Sequence, residues 1–143
     1  MRVIALFLLV STGFAQQADF PDSPSHDYLT WKQTFTDKKW WIPTVTFIAA
    51  TAFDDVMTVR GTNKRWNDGT PVCVEGNTDL PLYPGPGDVA KNFAETHLPV
   101  LVIGTLIHKV TGKSRWASWI YPSMMAYGTQ LHIRGGVGWF NCQ

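Results

Sequence analysis

Charge is scarce in this chain, and the local motifs that announce enzymes are absent. Only 16% of the 143 residues are Asp, Glu, Lys or Arg, and 12 basic residues face 11 acidic ones. No large field of one sign exists to recruit nucleic acid or a strongly anionic surface, so nucleic acid is not an expected partner. There are two cysteines, Cys73 and Cys142, and neither belongs to a Cys-x-x-Cys pair. That spacing gives no support to a zinc ribbon, a thioredoxin-like redox site or a covalently attached haem. Gly-x-Ser-x-Gly, Ser-x-x-Lys, His-Glu-x-x-His and Glu-x-x-His do not occur either. The sequence therefore marks no nucleophile and no dense metal motif, and no cofactor is expected.

What is present is tryptophan, seven in a short chain, and a mean hydropathy near zero that hides a segregation of polar and apolar stretches. The chain begins with a basic residue, Arg2, an apolar run over 3–10, and Ser11-Thr12-Gly13-Phe14-Ala15. A cut after Ala15 would place small residues at the two positions a signal peptidase reads, and the run is too short to cross a hydrocarbon core of about 30 Å. The expected organisation is a signal peptide over 1–15, a polar segment over 16–39, and a helical membrane-associated domain over 40–143 with an irregular loop at 60–91. Export would bring both cysteines into a compartment that permits a disulfide, without requiring one.

Three apolar blocks follow, at about 40–59, 92–110 and 116–133, and the expected fold class is all-α. Pro43 is expected in the first turn of the first helix, Gly112 as a C-cap of the second, and Pro122 early in the third. The third block, about 18 residues without a formal charge if His132 is neutral, would span about 27 Å. Trp40, Trp41, Trp116, Trp119 and Tyr121 gather beside Lys or Arg at the starts of blocks. Amphipathic rings and cationic stems settle there at a membrane–water boundary. The same rings could equally fill the core of a small soluble bundle, and Asp54, Asp55, Glu95 and His97 would then need no special shelter.

Orientation contains a conflict. Lys109, Lys113 and Arg115 place the second connection on the cytoplasmic side by the positive-inside rule, as Lys38 and Lys39 do for the entrance to the first helix. A cleaved signal peptide would put 16–39 outside instead.

Helical spacing groups several polar residues. Thr44, Thr51, Asp55 and Thr58 form one stripe on the first block. His97 and His108 share a face of the second block with Leu101 and Gly104, though about 16 Å of rise keeps them from one metal. Ser118, Tyr121, Met125, Gly128 and His132 share a face of the third, whose small members permit close packing. Asp55, Glu95 and His97 are the candidate catalytic or ion-handling residues, because an ionisable group on an apolar helix is a functional candidate by default. Asp54, Asp55, Glu95, His97 and His132 are the metal candidates, with carboxylate and imidazole donors suited to zinc, iron or manganese. Gly135, Gly136 and Gly138 are expected to end the third helix and let Trp139 and Phe140 fold back.

Asp55-Val-Met-Thr58 on an apolar helix, followed by Glu75-Gly-Asn77 and two further apolar helices, resembles small bacterial integral membrane proteins of uncharacterised function that carry an Asp-x-x-Thr helix and a later Glu-x-Asn-Pro. Here Thr78 follows Asn77 in place of Pro. The resemblance covers about half the chain and implies a helical membrane fold without a known activity.

Three functions are compatible with these features. The leading expectation is a small accessory or assembly subunit of the membrane, packing Trp-rich helices against lipid or a larger membrane protein complex. The second is a membrane-embedded enzyme or ion-handling protein, and the third a secreted Trp-rich ligand-binding module.

Overall fold

The computed structural model describes residues 28–76 and 79–142. The expected signal peptide, the first half of the polar segment and Asn77 lie outside them. The described residues are mainly helical, with no strand; in the loop after residue 63 a single bridge joins Arg65 to Pro71 across a turn in which Gly69 takes φ +85°.

A short helix, α1 (Trp31–Thr36), is closed at its start by a reciprocal cap between Thr30 and Gln33. Asp37 then caps α2 (Lys38–Asn63), its carboxylate accepting from the Lys39 amide at 2.9 Å. Because this cap starts the helix before Trp40, Pro43 falls inside α2 and not in its first turn. At its other end α2 runs past residue 60, which shortens the loop that follows.

That loop ends at Gly85, where α3 (Pro86–Asn92) begins with Pro in its first turn. A π-helical turn, Phe93–His97, joins α3 to α4 (Leu98–Thr111), which Gly112 caps. A 3-10 turn (Ala117–Trp119) leads into α5 (Ile120–Gly138), so Pro122 sits in the first turn of α5. Unexpectedly, Gly135, Gly136 and Gly138 continue α5. The reason is packing: a Cβ on Gly135 would lie 2.6 Å from a carboxylate oxygen of Asp54, and one on Gly136 would strike the ring of Phe53. Gly128 and Gly104 admit Phe47 and Tyr121 in the same way.

The described residues, most of them on α2, α4 and α5, bury as many polar as apolar side chains. Phe47, Leu101, Tyr121 and Met125 form the apolar centre of the bundle these helices make. Around them lie Thr44, Thr51, Thr58, Thr62, His108 and Ser118. The Thr51 and Thr62 hydroxyls donate to carbonyls one turn back on their own helix, at 3.0 and 2.9 Å, which shelters them without a distant partner. The outward faces are the reverse: Ile42, Val45, Ile48 and Val56 on α2, Val102, Ile103, Leu106 and Val110 on α4, and Ile120, Leu131, Ile133 and Val137 on α5 are exposed. Only α2 is both long and apolar enough, among the described helices, to cross a membrane.

The bundle has two chemically distinct ends. At one, Lys39, Lys109 and Arg115 lie over the rings of Trp119, Trp31 and Trp116. At the other, a disulfide joins Cys73 to Cys142, tying the α2–α3 loop to the 3-10 turn (Trp139–Cys142) that follows α5.

Candidate functional site

Near the disulfide end, three ionisable side chains from three elements form one hydrogen-bonded chain. Asp54 on α2 accepts from or shares a proton with His132 Nδ1 at 2.9 Å, and His132 Nε2 faces His97 Nε2 at 3.0 Å. The π-helical turn sets His97 in place: its wider winding rotates the ring towards α5, an irregularity often found where a helix carries function. Phe47 closes the floor, with its ring centroid 5.8 Å from that of His97 and 5.5 Å from that of His132. Phe93 stacks on the other face of His97.

The two imidazoles open onto a cavity of about 230 Å³. Asp54, Asp55, Thr58, Glu75 and Asp79 contribute to its wall, along with Asn92, Thr96 and Trp139. The wall carries four carboxylates and two imidazoles, and among the described residues no lysine or arginine lines it. The disulfide positions two of its sides, because Glu75 follows Cys73 by two residues and Trp139 precedes Cys142 by three.

Facing imidazole nitrogens impose proton arithmetic. With His132 donating from Nδ1 to Asp54, its Nε2 is an acceptor in the neutral ring, so His97 donates from Nε2. The neutral pair holds two hydrogens on four nitrogens. It can take up one more at His97 Nδ1, which leaves the single hydrogen of the Nε2 contact to be shared between the two rings with Asp54 as counter-charge, whereas a second extra proton would set two N–H groups against each other.

Of the sequence candidates, Asp54, Asp55, His97 and His132 meet at this cavity. Glu95 does not line it: it pairs with Lys91 at 3.9 Å on the exposed side of the π turn and borders a neighbouring surface groove. Among the described residues no group of three His, Cys, Asp or Glu is arranged to hold a metal ion. Asp55, Thr58 and Glu75, which carry the resemblance to small membrane proteins, all line the cavity. Asp79 and the partnership of Asp54 with His132 were not legible, since 78 residues separate the pair and neither lies in a motif.

A second buried pair escaped the sequence reading at the cation-rich end. His108, fully buried, lies 3.0 Å from Asp37 Oδ2 through its Nε2. The available signal was the polar residue ahead of Lys38, which reads as a helix cap but gives no hint of a histidine 71 residues away.

The chain matches no family model, no curated protein and no solved structure.

Proposed function

We propose that this chain is a small integral membrane protein that takes up and transfers a proton at Asp54, His132 and His97. The observation that carries the proposal is the hydrogen-bonded Asp54–His132–His97 chain on an acidic cavity, inside a bundle whose polar groups face inward and whose aliphatic groups face out. An outward aliphatic surface suits lipid, and inward polar groups suit a bundle that must satisfy them without water. In the proposed arrangement α2 crosses the bilayer on its own hydropathy, and α3 with α4, and α5, cross only as partners packed against it. Asp54 lies nine residues, about 14 Å of rise, before the end of α2. A carboxylate at that depth is costly unless paired, and ionisable residues retained there commonly lie on proton or ion paths.

The cation-rich end would face the cytoplasm, and the Cys73–Cys142 end the oxidising side. A proton would be taken up at His97 Nδ1, the hydrogen on His97 Nε2 would pass to His132 Nε2, and the charge would then rest on His132 against Asp54. Asp55, Glu75 and Asp79 would concentrate cations at the entrance. The outward apolar faces also suit the helices of a larger complex, so the accessory-subunit reading persists as a setting in which this site would work.

The test is reconstitution into vesicles containing a pH-sensitive dye, after carbonate washing has established that the protein is integral. An imposed voltage should move protons faster with the parent chain than with His132→Gln. Equal rates would overturn proton transfer, and release by carbonate would overturn the membrane reading.

A further inference from the structure

The cation-rich end carries a feature that proton transfer does not use. Between α1, α2 and α4 runs an open groove walled by Trp31, Phe35, Trp40, Leu101, Val102 and Leu106. Its aromatic wall is braced: Phe35 stacks with Trp31 at 5.7 Å and meets Trp40 edge-on at 4.9 Å. The polar atoms along it are already engaged within the protein. Trp40 Nε1 donates to Thr105 Oγ1 at 2.9 Å, Thr105 donates to the Leu101 carbonyl at 2.7 Å, and the Thr44 hydroxyl bonds with Tyr121 and the Trp40 carbonyl. With Trp40, Thr44 and Thr105 engaged in this way, the groove offers a ligand mainly aliphatic and aromatic contact, which favours a hydrocarbon chain over a polar metabolite.

One end of the groove has a charge. Val102, Leu106 and Lys109 follow one another at helical spacing on one face of α4. The Lys109 ammonium stands 5.2 Å from the ring of Trp31 and 5.8 Å from that of Tyr28, and the Leu29 amide fixes this corner by donating to the Lys109 carbonyl at 3.0 Å. The one carboxylate at the turn into α2, Asp37, is directed at His108 and the Lys39 amide. An apolar trough that ends in a cation on an aromatic platform complements a molecule with an acyl tail and an anionic head. Lys32, Lys38 and Arg115 add positive charge to the same end.

From this complementarity we infer that the groove between α1, α2 and α4 is a binding site for an anionic membrane lipid, with one acyl chain along Trp31, Trp40, Val102 and Leu106 and its phosphate at Lys109. The inference rests on the membrane reading proposed above. It gives α1 a purpose the proton site does not require, as an interfacial helix whose aromatic side closes over the lipid.

Native mass spectrometry of the full chain in detergent, titrated with phosphatidylglycerol and, separately, phosphatidylcholine, tests it. Two variants accompany the parent: Lys109→Gln, which removes the charge, and Val102→Trp, which fills the groove without changing charge. Phosphatidylglycerol should bind the parent more tightly than phosphatidylcholine. Lys109→Gln should weaken that binding about fivefold, as expected for one cation near an anionic headgroup. Val102→Trp should weaken both lipids. Equal affinity for the two lipids in the parent, or unchanged phosphatidylglycerol binding in either variant, overturns the site. No bound lipid at all also overturns it. Carbonate washing of the same membranes separates these outcomes from failure of the membrane reading, since a chain without the lipid site would still stay in the pellet.

Discussion

His97 and His132 stand Nε2 to Nε2 at 3.0 Å, although 35 residues and a helical reversal separate them. Neither ring alone would distinguish this protein from many with a buried histidine. Their contact, with Asp54 behind His132, makes a unit with a defined proton capacity.

That capacity is countable. The parent chain should bind one proton on the pair when titrated through the imidazole range, His132→Gln and His97→Gln should each still bind one on the ring that remains, and the double variant should bind none. Nitrogen-15 spectra of the ring nitrogens would report it, because the shared proton perturbs both Nε2 signals together. Two independent titrations, each removed by its own substitution, would show that the rings act separately. Asp54, Asp55, Glu75 and Asp79 all contribute to the surrounding field, so Glu75→Gln should shift the midpoint without changing the count.

Gly135 faces Asp54 closely enough that an added methyl would displace the carboxylate. Gly135→Ala should therefore separate Asp54 from His132 at a stability cost of about 1 kcal/mol, since only the end of a side chain must move. Thermal unfolding in detergent should change little while proton uptake weakens. Gly136→Ala, which meets the larger ring of Phe53, should show the opposite balance, with a loss nearer about 2 kcal/mol and the relay preserved.

Asp37 serves two partners, the Lys39 amide and His108. Asp37→Ala should cost about 2 to 4 kcal/mol, through loss of a helix cap and of the hydrogen-bond partner of a buried ring. Asp37→Asn keeps a good cap and an acceptor for the imidazole, so most of that loss should be recovered. Equal destabilisation by the two substitutions would mean that charge, and not hydrogen bonding, holds His108.

The disulfide closes 69 residues of sequence separation, for which chain entropy alone suggests about 4 kcal/mol. Replacing both cysteines by serine should lower the unfolding temperature and loosen the loop bearing Glu75 and Asp79, weakening proton uptake as well. In intact cells an impermeant thiol reagent should reach Cys73 and Cys142 only after reduction, with the amino terminus uncleaved. A chain starting near Gln16 with the same labelling would make three full spans untenable.

Much of the helical scheme was legible because capping and spacing are local. Leu101, Gly104 and His108 do bury one face of α4, and Ser118, Tyr121 and Met125 one face of the third helical block, as their periodicity indicates. The errors are local too. Pro43 lies inside its helix because the cap at Asp37 acts upstream of the apolar block, and Gly135 and Gly136 serve packing within α5 because Asp54 and Phe53 occupy the space where their side chains would stand.

The sequence by itself determined that this is a helical chain with segregated apolar blocks, and which residues share each helical face, since a 3.6-residue period fixes those relations. Which faces meet was decided only by the tertiary structure. The pairings Asp54–His132, His132–His97, Asp37–His108 and Cys73–Cys142 join residues on different elements, and helix periodicity sets no rotation of one helix about another. Packing sets that rotation, as glycines admit rings and a π turn redirects His97, and through it four scattered ionisable residues become one acidic cavity beside an imidazole pair.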